Sequence, residues 1–524
     1  MGGAIPPLAI GAPATLVALG MALPILYLAI RTLGAGSETW ELLFRSRTLE
    51  ILLRSLLLVG TVSAACVVIA VPLAWLTVRT DLPFRRVWSI LVSLPIVIPS
   101  YIGAFLVIVA LGPRGMLQQA LEWAFAVERL PDIYGFPGAL LTLTLLSYPY
   151  VLLTVSAGLG KLDASLEEAS RNLGSSRWRT FFEVILPQLK PSIAAGALLV
   201  GLYTLSDFGA VSLLQYETFT AAIFIQYDSA LDRTIAAALS MALVVLALLI
   251  IVTEAGTRAR FKYFDSTPGP DRPAPFVPLG RWRWPAMGYC AVVVLASLAI
   301  PVAILLYWVV RGFSSEESMS FVWGAAWSSF YVSSLSAAAI ALAALPVAIM
   351  VVRYPSLVAN VIERLSYVGF ALPGITIALA LVFFASNYAS PLYQSLLLLV
   401  FAYVVLFLPS ALGSIRASLL QISPKLEEAA RGLGSSPVRA FCIITIPLLR
   451  SGIFAGAALA FLLTMKELPA TLILGPLGFT TLATSVWSAA TEAMFAQAAV
   501  AALLLVLVSS VPMGFLVLRG RQPG

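Results

Sequence analysis

The chain has 524 residues, 60% of them hydrophobic and only 11% charged, with 32 Lys+Arg against 25 Asp+Glu and no His. A mean hydropathy of +0.97 is too apolar for a string of soluble domains, which average about 25% charged residues, and too apolar for a disordered chain. The net charge of +7 reads as a basic cytoplasmic face of a membrane protein rather than as a nucleic-acid surface, and no nucleic-acid partner is expected.

Twelve apolar blocks are long enough to cross a bilayer, which takes about 20 residues each. Those of the first half lie near 8–30, 55–78, 87–111, 138–160, 191–214 and 234–255. Those of the second lie near 285–310, 329–352, 365–387, 391–413, 451–474 and 493–518. The first block reads as a retained helix, because nothing basic precedes it and it is too long for an ordinary signal-peptide core. Pro72, Pro95, Pro99, Pro149, Pro346, Pro373 and Pro409 fall inside these blocks, where a bundle can satisfy the carbonyls that proline frees.

The longest polar stretch, 256–284, is basic and proline-rich and suits a cytoplasmic linker between halves 1–255 and 285–524. With the N-terminus inside, 23 basic residues fall in cytoplasmic loops or the C-terminus and 8 outside. That bias places both chain ends in the cytoplasm, although the 31–54 loop runs against it. The expected fold is therefore all-α and polytopic, with about 12 transmembrane helices in two pseudo-two-fold-related six-helix halves.

A repeat supports that division. Residues 166–196 and 426–456 match at 16 of 31 positions with an offset of 260. Ser206-Asp207 then aligns with Lys466-Glu467 and Pro149 with Pro409, while Pro72 pairs with Pro346 at 274 and Pro95 with Pro373 at 278. The halves would thus differ mainly in loop length, chiefly at 112–137. The repeated segments, loops 161–190 and 421–450, lie between the fourth and fifth blocks of each half on the cytoplasmic side. Each reads as a helix–turn–helix: Gly174 and Gly434 end one helix, and Ser175-Ser176 and Ser435-Ser436 cap the next. An interfacial helix pair that only anchors a loop is the plainer alternative.

These loops resemble the cytoplasmic EAA loop of ABC importer permeases. The signature of that family is EAA, three residues, Gly, nine residues, then I-x-L-P. Here it stands as Glu168-Ala169-Ser170, Gly174 and Val184-Ile185-Leu186-Pro187, and again as Glu428-Ala429-Ala430, Gly434 and Ile444-Thr445-Ile446-Pro447. The fold implied is that of a type I importer permease. The resemblance implies that Glu167, Glu168, Ala169, Arg171, Gly174, Glu427, Glu428, Ala429, Arg431 and Gly434 form coupling helices that dock on two copies of an ABC ATPase subunit. It also implies a substrate-binding protein on the outer face and a bacterial inner membrane as the location. The chain carries no phosphate loop of its own: beside Gly160-Lys161 stand Val155 and Leu162 where the motif requires Gly and Ser or Thr. It is therefore expected to catalyse no covalent step and to hold no cofactor, with ATP and Mg on the partner. A fused chain with two such loops is similar to the ferric-iron importers, and Leu205–Val211, Tyr216–Thr220, Lys466–Thr471 and Leu477–Thr484 carry that narrower likeness. Thiamine and phosphonate permeases share the fused architecture, and an ion-coupled secondary transporter is the alternative of another class.

Charge at membrane depth is costly and points to function. Asp207 and Glu467 occupy equivalent positions in the fifth and eleventh blocks, where a pseudo-two-fold axis would bring both to the midline. With Ser206, Tyr101 and Tyr148 they would line a translocation pathway with oxygen, the donor that suits hard cations. No firm metal site is expected, only transient contacts at Asp207 and Glu467. The other reading of these acids is an internal ion pair or a helix-capping carboxylate. Outside, Glu122, Glu128, Asp132, Glu217, Asp228, Asp232, Glu316 and Glu317 are candidates for binding-protein docking or plain solvated charge. Cys66, Cys290 and Cys442 lie far apart in apolar sequence and are expected to be buried and inert.

Overall fold

The computed structural model describes residues 7–34, 36–160, 162, 164–229, 234–260, 276–314 and 320–519. Within these the chain is helical, and the sole extended pairing is an isolated parallel bridge between Thr80 and Val277. In the first half, α1 (Leu8–Leu33) and α2 (Ser37–Leu43) precede α3 (Ser46–Arg79). An interrupted span follows: α4 (Arg85–Leu91), a 3-10 turn (Leu94–Val97) and α5 (Ser100–Leu111). Next come α6 (Met116–Phe125) and α7 (Phe136–Gly160). The repeated loop supplies α8 (Ala164–Asn172) and α9 (Arg177–Thr180), which run through a π-helical turn (Phe181–Ile185) into α10 (Leu186–Ser206). Then come α11 (Gly209–Leu213), α12 (Phe219–Ser229) and α13 (Thr234–Arg260).

The second half repeats this order. A π-helical turn (Leu295–Ala299) joins α14 (Arg283–Val294) to α15 (Ile300–Ser314), and α16 (Ser320–Arg353) follows. The interrupted span is α17 (Leu357–Tyr367), a 3-10 turn (Val368–Ala371) and α18 (Gly374–Tyr388). After α19 (Leu396–Leu420) the repeated loop forms α20 (Lys425–Gly432), α21 (Pro437–Ala440), a π-helical turn (Phe441–Thr445) and α22 (Ile446–Met465). The half ends in α23 (Pro469–Leu474), α24 (Leu482–Thr491) and α25 (Phe495–Arg519).

Among the described residues, ten helices are long and apolar enough to cross a membrane, and the apolar stretches Gly374–Tyr388 and Phe495–Ser510 are shorter. These twelve stand in the order of the twelve apolar blocks. Two kinds of block are broken rather than continuous. The third of each half is interrupted by a 3-10 turn, Leu94–Val97 or Val368–Ala371, and restarts directly after Pro99 or Pro373, which has no N–H to give to the ladder. The fifth of each half stops at Asp207 or at Lys466-Glu467 and restarts as a short helix.

The breaks also correct one alignment. Pro99 and Pro373 each precede the first residue of the helix after the 3-10 turn, so Pro373 pairs with Pro99 and not with Pro95. The offset of 274 therefore holds from α3 and α16, which share both ends, through α5 and α18. From α7 and α19 through the starts of α11 and α23 it is 260. Most of the length difference falls in the loop that carries α6, as the sequence predicts.

The chain packs as two compact units, and they are not the sequence halves. One comprises Met1–Leu43, Ile223–Val244 and Gly312–Gly524; the other comprises Phe44–Ala222 and Val245–Arg311. In the first unit α1 packs on α16, α17 and α18, with Tyr27 edge-on to Phe384 and Tyr388. In the second, the Tyr289 hydroxyl of α14 donates to Ile69 O at 3.0 Å. The opening helix of each sequence half thus joins a unit built mainly by the other half. Cys66 and Cys290 are buried as expected, but Cys442 is exposed, because it sits on the outer side of the π-helical turn after the second loop.

Candidate functional site

The two repeated loops fold alike down to single hydrogen bonds. Gly174 and Gly434 adopt φ of +88° and +89°, a left-handed turn that glycine enters without steric cost. Their N–H groups return to Arg171 O and Arg431 O at 3.0 Å. Ser176 and Ser436 then cap the second short helix, each Oγ accepting from the N–H three residues on, Arg179 or Arg439, at 3.3 Å. The turn chemistry read from the sequence is thus what forms the loop.

The paired glutamates diverge. Glu167 is turned inward and forms an ion pair with Arg79, the last residue of α3, whose side chain is 5% exposed. Glu427 likewise meets Arg353, the last residue of α16, at 3.6 Å and accepts a hydrogen bond from Thr445 Oγ1 at 2.5 Å. Arg353 also donates to Ile422 O at 3.2 Å. Glu168, Glu428, Arg171, Arg431, Ala169 and Ala429 are exposed. So are Leu173 at 87% and Leu433 at 89%, beside the turn glycines. Sequence reasoning did not single out Arg79, Arg353, Leu173 or Leu433. A signal for the arginines was present, since 79 and 353 differ by the same 274 that relates Pro72 to Pro346.

Of the residues expected to line the pathway, Asp207, Glu467, Ser206 and Tyr101 fall at or beside the breaks. Asp207 is 7% exposed and follows directly on α10. Its Oδ1 accepts from the N–H groups of Ala210 at 3.0 Å and Val211 at 3.3 Å, so it caps α11, and the Ser100 side chain faces it. Thr220 Oγ1 donates to Asp207 O at 2.5 Å. In the other unit, Glu467 Oε1 accepts from Ala470 N–H at 3.2 Å at the start of α23. Thr471 Oγ1 donates to Glu467 O at 2.7 Å and lies 2.6 Å from the Tyr403 hydroxyl. Each acid therefore acts as the capping carboxylate of a short helix, one of the roles its sequence position allowed. The cap supplies the acceptor that backbone N–H groups need where a membrane helix is interrupted.

Ser206 is half-buried at the end of α10, and Tyr101 packs its Cβ against Gly209. Tyr148 stands apart from this group: it is fully buried and its hydroxyl lies 3.3 Å from Ser297 Oγ. Glu217 is engaged by Arg47 at 2.9 Å and Arg54 at 3.9 Å. Asp132 accepts from Tyr134 N–H at 3.0 Å, Glu122 accepts from Gln118 at 2.9 Å, and Glu128 and Asp228 are exposed. Asp232, Glu316 and Glu317 lie outside the described residues.

A family model described as binding-protein-dependent transport system inner membrane component matches residues 67–259 and again 342–519. The chain belongs to this family. Both matches begin inside the second long helix of a half, so this inner membrane component carries the family unit twice, and its opening helices lie outside the matched regions. It is 36% identical over 502 residues, 95% of each chain, to the Fe(3+)-transport system permease protein FbpB 2 of Haemophilus influenzae. It is 32% identical over 175 residues to the molybdenum transport system permease protein ModB of Escherichia coli, covering 32% of this chain and 75% of that one. Among solved structures, a chain of a bacterial alginate ABC transporter covers 46% of this chain and 88% of its own at 20% identity and a TM-score of 0.38.

Proposed function

We propose that the chain is the permease of an ATP-driven importer that moves ferric iron, delivered by a substrate-binding protein, across a bacterial inner membrane. The observation that carries this reading is the duplicated helix–turn–helix, with one glutamate anchored on a membrane helix and an apolar knob exposed at each turn. An anchored polar side and an exposed leucine suit a lever that docks in a groove of a soluble partner. Two ATPase subunits, one per loop, hold ATP and Mg, and the permease performs no covalent chemistry. Hydrolysis moves the coupling helices, and rigid-body motion of packed helices opens the passage to one side and then the other. Iron is named because the relative at 36% identity, which spans nearly the whole chain, is named for Fe(3+) transport. Asp207 and Glu467 each offer oxygen, the donor that suits a hard cation in transit, and a chain without His offers no imidazole. Both chain ends lie in the cytoplasm in this reading, and the binding protein docks on the outer face.

The test is reconstitution with the cognate ATPase and binding protein in liposomes. Uptake of radiolabelled ferric iron is expected to require ATP and the binding protein. Leu173→Asp with Leu433→Asp is expected to abolish ATPase co-purification while leaving folding intact, because both side chains are almost wholly exposed. Full uptake by the lone chain in ATP-free vesicles, or a cognate binding protein that carries a ligand other than iron, would overturn the proposal.

A further inference from the structure

The two breaks are built from opposite distributions of bulk. In the first half the start of α5 is large and the break is small. The Ser100 side chain faces the Asp207 carboxylate, and a Cβ added at Gly209 would lie 2.7 Å from Tyr101 Cβ. In the second half the start of α18 is small and the break is large. A Cβ added at Gly374 would lie 2.5 Å from Glu467 Oε1 and 3.4 Å from Pro469 Cγ. The pairings follow from the offsets. Ser100 corresponds to Gly374 at 274, whereas Asp207 corresponds to Glu467 and Gly209 to Pro469 at 260. The capping geometry survives the exchange, since Ala210 and Ala470, also 260 apart, give their N–H groups to the two carboxylates at 3.0 and 3.2 Å. The longer acid occupies the room that the missing seryl side chain leaves.

We infer that each set is a size-matched clamp between the third and fifth spans of a half. Asp207 is matched to Ser100 and Glu467 to Gly374, so the acids are positioning residues that cannot be exchanged one at a time. Retracting Glu467 by one methylene withdraws the cap from α23 and leaves a void. Adding a hydroxymethyl at Gly374 drives an atom into the carboxylate. Making both changes restores the serine–aspartate arrangement of the first half. The role in transport rests on the reading above: a loosened clamp lets ATP hydrolysis continue without productive movement of substrate.

A four-member cycle tests this in the assembled complex, with Gly374→Ser, Glu467→Asp, their combination and the unmodified chain. Two quantities are read: the ratio of iron taken up to ATP hydrolysed, and the thermal unfolding midpoint in detergent. Each single change is expected to lower the uptake ratio about tenfold, and the double change to return it to within about threefold of the unmodified chain. A double variant no better than the worse single one, or single variants that match the unmodified chain, would overturn the clamp. If Gly374→Ser fails to assemble, Ser100→Gly with Asp207→Glu makes the reciprocal exchange by opening space first, and the same criterion applies. Unfolding midpoints do not depend on substrate. Compensation there in a complex that moves no iron would leave the clamp standing and remove the iron reading.

Discussion

Glu167 and Glu168 are neighbours in sequence with opposite surroundings. The first reaches back to Arg79 and is nearly enclosed; the second points into solvent. Adjacent helical residues point about 100° apart, so one of each pair can serve the membrane helix while the other serves a partner. Removing one member of a buried ion pair leaves an uncompensated charge, at a cost of about 3 kcal/mol. Glu167→Gln is therefore expected to lower the unfolding midpoint of the purified permease clearly, and Glu168→Gln to leave it unchanged; equal effects would contradict the division. The glutamates themselves were legible in the sequence. Their partner Arg79 was not, because it lies 88 residues away and its pairing depends on where α3 ends.

At the level of elements, proline is a poor guide to where a span breaks. Pro72, Pro149, Pro346 and Pro409 lie inside continuous helices. The break at Asp207 has no proline near it at all, and a carboxylate that satisfies freed N–H groups is what sustains it. The π-helical turns do follow proline. Those at Phe181–Ile185, Phe441–Thr445 and Leu295–Ala299 each end two residues before one: Pro187, Pro447 or Pro301. At each, the intervening residue bonds five back, Leu186 to Phe181, Ile446 to Phe441 and Ile300 to Leu295. Proline cannot donate to the fourth carbonyl before it and its ring crowds that carbonyl, so the preceding turn widens. Pro187→Ala with Pro447→Ala is expected to let the turns tighten and rotate each repeated loop by about 100° against its membrane helix. Binding-protein-stimulated ATP hydrolysis should then fall severalfold with helix content by circular dichroism unchanged. Unaltered stimulation would show that the wide turns do not set the loop's register.

For the molecule as a whole, the sequence halves and the packed units are different objects. Because α1 belongs to the unit formed by 312–524, and α14 and α15 to the unit containing 44–222, neither sequence half can complete a unit alone. A chain divided within 261–275 is expected to yield two fragments that are degraded when expressed singly and that co-purify when expressed together. A stable, monomeric half expressed by itself would count against the exchange. Sequence alone determined the twelve apolar segments, the duplication, the loop that absorbs most of the length difference and the turn of each repeated loop. These are set by composition, short-range periodicity and local backbone chemistry, all of which act within a few residues. Only the tertiary structure decided which helices are interrupted, which glutamate is anchored and where the opening helices pack. Those outcomes depend on groups far apart in the chain that become neighbours only on folding, such as an arginine at a helix end, a carboxylate over a bare glycine, or a helix completing the other half's core.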